Sequence, residues 1–265
     1  MKRLPCSIDE KIRLKDFDSS EDGGLDKDKT KADTDALAEK IGQLQELLYA
    51  NGTHSMLLLF QGLDASGKDG SVRHVLRHVN PAGVETANFK VPSAEERAHD
   101  FLWRVHKAVP RYGNFGVFNR SHYEGVLAER VLKIVPPLVW RRRYDQIVQF
   151  ERMLVENNVV LLKFYLHLGK EEQAERLEER LHNPRKQWKF AKGDLETRLH
   201  WREYTRAYED MLNATSHRHA RWHLVPADRN WYRDHLIART VVQAMEGLQM
   251  KWPKPAENLD GIRIR

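Results

Sequence analysis

The sequence predicts an α/β protein, with helices on both faces of a parallel sheet, on three observations. Short apolar runs alternate with helix-periodic segments from Asp35 to Leu248. The run Met56–Phe60 (MLLLF) is apolar throughout, as befits a strand covered on both faces. A glycine-bearing loop, Gly62–Gly70, then stands between that strand and a helix-periodic stretch.

Each element can be justified in turn. Residues 1–34 are polar and rich in Asp and Lys, with Gly23-Gly24 among them, and read as a surface arm with little regular structure. Leu37, Ile41, Leu44 and Leu48 recur at helical steps over Asp35–Tyr49, and Asn51-Gly52 turns the chain. After the loop, Val72, Val75, Leu76 and Val79 predict a helix ending before Pro81. Val84–Phe89 reads as a strand. Ser93 with Glu96 forms a capping box opening a helix to about Val109. Phe115–Phe118 is a short strand leading into Asn119-Arg120, followed by a helix to Val135 that Pro136-Pro137 breaks. A helix over Tyr144–Glu156 precedes the apolar strand Val159–Leu166. A charged helix, Glu171–Leu181, is closed by Asn183-Pro184. A helix over Leu195–Asn213, a strand at His223–Val225 and a helix over Trp231–Leu248 complete one domain, 35–250. The tail, 251–265, is irregular.

Composition narrows the function classes. An apolar fraction of 41% in 265 residues is enough for a sizeable core, and 31% charged residues indicate a soluble surface. No run of 18 uncharged apolar residues predicts a membrane helix. The basic opening MKRLPC has no apolar stretch behind it to make a secretory signal, so a cytoplasmic location is expected. Cys6 is the sole cysteine, which excludes an internal disulfide and a cysteine-built zinc site. The net charge of +6 favours polyanionic partners. Nothing resembles a zinc finger, a basic zipper or an RNA-binding aromatic motif, and the charge is concentrated at Arg141–Arg143 and Arg185–Lys192. A localised anion path fits better than nucleic acid.

GLDASGKDG (Gly62–Gly70) has the GxxxxGK spacing of a phosphate-cradling loop. Gly62 and Gly67 admit the backbone to close approach, and the peptide units of Ala65, Ser66, Gly67 and Gly70 can then surround phosphate oxygens. The helix beginning near Lys68 adds its N-terminus, and Lys68 adds a point charge. Asp69 stands where a metal-binding Ser or Thr would be usual. Asp64 is by type a hard oxygen ligand for Mg²⁺ or an orienting acceptor; a loop aspartate facing water is the alternative. Asp69 reads instead as a first-turn carboxylate. His74 and His78, one turn apart without an accompanying carboxylate, read as surface or packing residues.

FNRSHYEGVLAERV (Phe118–Val131) follows the third strand, where residues at strand ends converge on a ligand crevice. Asn119, Arg120 and Glu124 would meet there, although Arg120 and Glu124 at i,i+4 spacing could equally be a helix-face ion pair. Together with FQGLDASGKDG, FKVPSAEERAHDFLWRVH, KFYLHLGKEEQAERLEERLHNPRKQWKF and PADRNWYRDHLIARTV, this stretch resembles the type-2 polyphosphate kinase family over roughly residues 35–250. The resemblance implies a P-loop kinase-like three-layer core similar to thymidylate kinase, with a helical lid at about 170–192. It implies Mg²⁺-dependent transfer of phosphoryl groups between inorganic polyphosphate and nucleotides.

By the same resemblance, Asp64 is the catalytic aspartate and Lys68 the phosphate-binding lysine. Arg120 binds phosphate, Asp64 is a ligand for the metal, and Glu124 helps hold the metal or the acceptor. Asn119 resembles the branch that accepts both AMP and ADP, forming ADP and ATP. Guanine nucleotides are a further class of acceptor, and a homo-oligomer is implied, with Val139, Trp140, Val148 and Met153 as a candidate partner-facing set. Gly125 departs from the aspartate common in that branch, and Gly116 is less apolar than expected of its central strand.

Arg176 and Arg180 lie one turn apart and can converge on an anion, with Leu177 and Leu181 facing the body of the protein. Trp188 and Phe190 read as anchors of the lid. Arg120, Arg130, Lys133 and Arg141–Arg143 are candidates for a polyanion path, with solubilising surface charge as the alternative for Lys133 and the arginine triplet. Asp228 caps the last helix or approaches the nucleotide. The rival readings are an ATP-dependent nucleoside-monophosphate or small-molecule kinase, and a nucleic-acid-binding protein with a vestigial loop.

Overall fold

The computed structural model describes residues 6–260 and 262–264. Residues 1–5 of the expected arm, and Gly261 and Arg265 of the tail, lie outside the described residues. The elements run β1 (Cys6–Ser7), α1 (Lys27–Asn51), β2 (Ser55–Gln61), α2 (Lys68–Val75), β3 (Val84–Asn88), α3 (Ala94–Arg97), α4 (Trp103–His106) and β4 (Phe115–Asn119). They continue α5 (Ala128–Val131), α6 (Pro137–Glu156), β5 (Val159–His167), α7 (Lys170–His182), α8 (Lys192–Leu199), α9 (Trp201–Thr215), β6 (Trp222–Pro226) and α10 (Asn230–Gly247).

The sheet order is β1-β6-β5-β2-β4-β3, with β1 antiparallel to β6 and the remaining pairs parallel. Central β2 is buried along its whole length, and its alternation divides the core. Met56, Leu58 and Phe60 join α1, α2 and α10 on one face, while Leu57 and Leu59 join α6 and α9 on the other. Because β2 lies between β4 and β5, the loop leaving it emerges at the topological switch point, where parallel sheets open a ligand crevice.

The arm is more ordered than its composition predicts. Asp26 accepts from the amides of Asp28 and Lys29, so α1 starts eight residues before Asp35. Ile8 and Leu14 are buried; the Ile8 amide bonds Trp222 O, and the Leu14 amide bonds Glu209 Oε2 at 2.8 Å. Backbone pairing of this kind leaves no apolar period in the sequence.

Three predicted helices are interrupted. The expected 94–109 helix divides into α3 and α4, because Asp100 Oδ1 accepts from the Leu102 amide and forms a local turn. The segment after Arg120 is a 3-10 turn, His122–Gly125, followed by short α5. The 195–213 helix breaks at His200 into α8 and α9. In the other direction, α6 begins at Pro137 rather than Tyr144, because proline suits the first helical position. Gly116 has a steric reason: a Cβ there would stand 2.6 Å from Pro110 Cγ.

Candidate active site

The phosphate loop turns sharply between β2 and α2. Ala65 and Gly67 both have positive φ, 67° and 94°. At Gly67 a Cβ would lie 1.9 Å from Arg233 Nη1, so conformation and space both require glycine. Lys68 is the first residue of α2, and its Nζ donates to Gly62 O (2.6 Å) and Leu63 O (3.1 Å). Much of the loop is enclosed by the body of the protein. Leu63, Ala65 and Ser66 are buried, and Asp64 and Lys68 are half-buried.

Arg120 follows the last residue of β4 in a left-handed conformation (φ 60°), its amide bonded to Phe60 O at 3.2 Å. That conformation removes the helical i,i+4 pairing with Glu124. Arg120 Nη2 instead donates to Asp64 Oδ1 at 2.8 Å across the sheet. Glu124 rides on the 3-10 turn that Ser121 Oγ caps through the Tyr123 amide. Asp64, Lys68, Arg120 and Glu124 thus form one electrostatic cluster at the ends of β2 and β4.

Burial raises the Glu124 carboxyl above its ordinary value, opposed by Arg120 and Lys68 and reinforced by Asp64. Burial lowers the Lys68 ammonium against the pull of Asp64. For Arg120, burial alone would lower the guanidinium, but Glu124 and Asp64 more than offset it and leave it raised. The cluster therefore holds two cations and two carboxylates in a partly desolvated crevice, a setting in which charge on a phosphate is strongly felt.

Asp69 sits in the first turn of α2, as expected, and accepts from Asn119 Nδ2 at 2.5 Å. Arg180 Nη1 donates to Asp194 Oδ2 of α8 at 3.1 Å. Burial raises the Asp194 carboxyl and Asp64 adds to the effect, so this pair lies within electrostatic reach of the cluster.

Other candidates are placed differently. Arg176 is bound to backbone carbonyls and Glu172 rather than free to meet an anion. Arg130 donates to Asp210 and Tyr144 and lies over the Trp140 ring, and Lys133 is exposed. Leu177 is buried but Leu181 is 46% exposed, so only the first half of α7 packs on the body. Trp188, expected as an anchor, is 78% exposed, held by its own turn at Arg185 O. Asp228 accepts from Gly169 N and Ser19 Oγ and does not cap α10. Gly125 carries Arg143 across it: Nη1 donates to Gly125 O at 2.8 Å and to Glu129 Oε2 at 2.6 Å.

Several residues at the site have no short-range sequence signal. Gln173, Arg233 and Asp234 support the loop from outside. Tyr204 and Tyr208, one turn apart on α9, feel the cluster; burial, Glu124 and Asp64 push the Tyr204 hydroxyl up to about 12. Their i,i+4 spacing is the one cue the sequence holds; in the fold Tyr208 packs on the Tyr165 ring, centroids 4.9 Å apart.

Comparison with known proteins agrees with this architecture. Residues 24–253 match the family model Polyphosphate kinase 2 (PPK2). The chain is 47% identical to an AMP/ADP-polyphosphate phosphotransferase of Meiothermus ruber, over 100% of both chains. It is 42% identical to an ADP-polyphosphate phosphotransferase of Rhodopseudomonas palustris, over 86% of this chain and 83% of the relative. A crystal structure of polyphosphate kinase 2 from Arthrobacter aurescens superposes with a TM-score of 0.94 at 37% identity, covering 97% of this chain and 94% of the other. Loop, cluster, sequence and fold agree: the chain belongs to the polyphosphate kinase 2 family.

Proposed function

We propose that this protein transfers phosphoryl groups reversibly between inorganic polyphosphate and adenine nucleotides, forming ATP from ADP and ADP from AMP. The observation that carries the reading is the convergence of Lys68, Arg120, Asp64 and Glu124 on one crevice beside the phosphate loop. Membership of a family whose relatives are named for AMP and ADP supports both acceptors.

The chemistry asks little of side chains beyond placement and charge. An oxygen of the nucleotide's terminal phosphate attacks the end phosphorus of polyphosphate. The new P–O bond forms as the bond to the next phosphate breaks, and that oxygen leaves with its electron pair on the shortened polymer. The acceptor phosphate is already ionised near neutrality, so no covalent nucleophile is needed. Lys68 and Arg120 balance charge on the transferring group, the loop amides orient it, and Arg180 approaches from the lid.

Among the described residues no group of three or more His, Cys, Asp or Glu is placed to hold a metal unaided. Mg²⁺ held together with substrate phosphates needs only one or two carboxylates, and Asp64 and Glu124, half-buried on one cluster, fit that requirement. When bound there, the ion would supply further neutralisation of phosphate charge.

Incubating AMP or ADP with polyphosphate and Mg²⁺, then separating the products, tests the reading. ADP conversion without AMP conversion would remove the dual acceptor. Turnover with ATP and AMP but not with polyphosphate would favour an ATP-dependent kinase. A homo-oligomer is part of the same reading: Leu138, Val139 and Met153 of α6 are exposed apolar residues. Trp140, by contrast, is covered by the guanidinium groups of Arg130 and Arg141. A monomer by light scattering at micromolar concentration would reject that part.

A further inference from the structure

Three consecutive carbonyls of the phosphate loop are each held from outside by a different side chain. Gln173 Nε2 donates to Asp64 O at 2.9 Å, Arg176 Nη1 to Ala65 O at 3.0 Å, and Arg233 Nη1 to Ser66 O at 3.3 Å. We propose that Gln173, Arg176 and Arg233 form a carbonyl clamp, positioning residues that aim the loop amides at the phosphates without touching substrate. The inference rests on the phosphate-loop reading above and says how that loop is kept in its binding conformation.

The geometry follows from the planar trans peptide, in which each carbonyl opposes the next residue's N–H. Fixing the carbonyls of Asp64, Ala65 and Ser66 outward turns the amides of Ala65, Ser66 and Gly67 the other way. The Ser66 amide closes the turn on Leu63 O at 3.1 Å. The amides of Ala65 and Gly67 then share the inner side with the N-terminus of α2, where an anion is stabilised. Ala65 occupies a left-handed conformation that an alanine adopts only when its surroundings impose it, and the clamp is what imposes it.

Each clamp side chain is itself fixed by a different element. Arg176 Nη2 donates to Ala227 O and Asp228 O, both at 2.8 Å, and Nε to Glu172 Oε1 at 2.7 Å. With Nη1 on Ala65 O, nearly all of its N–H capacity is used on the protein, which separates its role from that of a phosphate contact. Arg233 is 2% exposed and is held by Asp234 Oδ1 (2.8 Å) and Asn230 Oδ1 (2.6 Å), and Asp234 in turn accepts from Ser71 Oγ of α2 at 2.9 Å. Gln173 is fully buried, and its Oε1 accepts from Arg198 of α8 at 3.1 Å. The first half of α7 is therefore a wall of the phosphate loop, and Arg198 ties α8 to it.

The test uses the full chain, Gln173→Met, Arg176→Met and Arg176→Lys, with tripolyphosphate as the probe in titration calorimetry. The methionines keep volume and remove the donors. Folding is followed by thermal melts, and turnover with polyphosphate and ADP is measured alongside. The expected result is folded protein whose tripolyphosphate affinity falls about tenfold or more, with kcat lowered by a similar or larger factor. Arg176→Lys, which retains one donor able to reach a carbonyl, recovers part of the affinity. Wild-type affinity in the folded methionine variants would overturn the clamp even if turnover dropped, since the residues would then act on the reacting group. Failure of both methionine variants to fold would also overturn it, assigning them to the general scaffold. A wild-type chain that does not bind tripolyphosphate would instead remove the phosphate-loop reading itself.

Discussion

The segment from Asn119 to Gly125 feeds two clusters of charge that could hardly differ more in use. Arg120 and Glu124 turn to the phosphate loop, while His122 and Tyr123 between them turn inward to Lys163 and Glu151. Lys163 and Glu151 are fully buried, and all three donors of Lys163 are satisfied: by Glu151 Oε2 (2.6 Å), Thr215 O (2.8 Å) and Tyr123 Oη (3.0 Å). Arg120 keeps 40% of its side chain exposed and donates to the Asp64 carboxylate. The same residue types therefore make a sealed strut in one place and an open site in the other. What separates them is position along the parallel strands. Lys163 is mid-strand in β5, covered by α6 and α9, whereas Arg120 and Lys68 lie past the strand ends.

If the inner cluster is a strut, breaking it should unfold the protein rather than poison it. Glu151→Ala leaves an uncompensated buried ammonium and is expected to cost about 3–5 kcal/mol of stability. Calorimetric or chemical denaturation measures it. Turnover per folded molecule should stay near wild type, and a selective loss of kcat at unchanged stability would erase the distinction between the clusters.

The outer cluster should behave in the opposite way. Lys68→Ala removes a cation whose hydrogen bonds are to the loop's own carbonyls, so the melting temperature should move little. Polyphosphate-dependent turnover should fall on the order of 10²-fold, about 2.7 kcal/mol of transition-state stabilisation. Near-wild-type turnover in folded Lys68→Ala would return the loop to a purely structural turn.

The outer cluster was also the legible one. The glycine and lysine spacing of the loop, and polar residues placed directly after an apolar strand, are local signals that survive in one dimension. The inner cluster was hidden: VVLLKFYL reads as an apolar strand, and the partner that accounts for Lys163 lies on a helix twelve residues earlier. Arg176 was legible as a cation but not in its role, because its partners are backbone carbonyls that no residue type announces. Arg233 contacts the loop from 167 residues away, and β1 pairs through its backbone alone. In each case the missing information is tertiary hydrogen bonding, which leaves no periodicity behind.

A third pair, Arg180–Asp194, has side chains 23% and 13% exposed. If the 170–192 segment closes as a lid in the proposed reaction, this ion pair would be exchanged for a phosphate. Arg180→Ala should lower kcat about tenfold while leaving nucleotide KM nearly unchanged, since the contact strengthens as charge moves. Single-turnover transfer at saturating substrates is the measurement, and unchanged transfer would take Arg180 out of the reaction.

The smallest expected effect separates the clusters by sign. Burial raises Glu124, so the folded state holds that proton more tightly than the unfolded chain does. Its contribution to stability is present below the ordinary glutamate value and is lost as pH rises through the raised one. For Glu151, burial alone would raise the carboxyl, but Lys163 and His122 pull it below the ordinary range. Its contribution is present above that ordinary value and is lost as pH falls through the lowered one. Subtracting the pH–stability curve of Glu124→Gln from wild type should leave a difference that declines with rising pH above about 4.5, by at most ~1.4 kcal/mol per pKa unit. The Glu151→Gln difference should grow with rising pH in the more acidic range. Because Glu124 acts ionised in the proposed reaction, the acid limb of kcat/KM should also lie above the ordinary glutamate range. Two difference curves of the same sign would show that the open cluster is built like the sealed one, and the division between site and strut would fail.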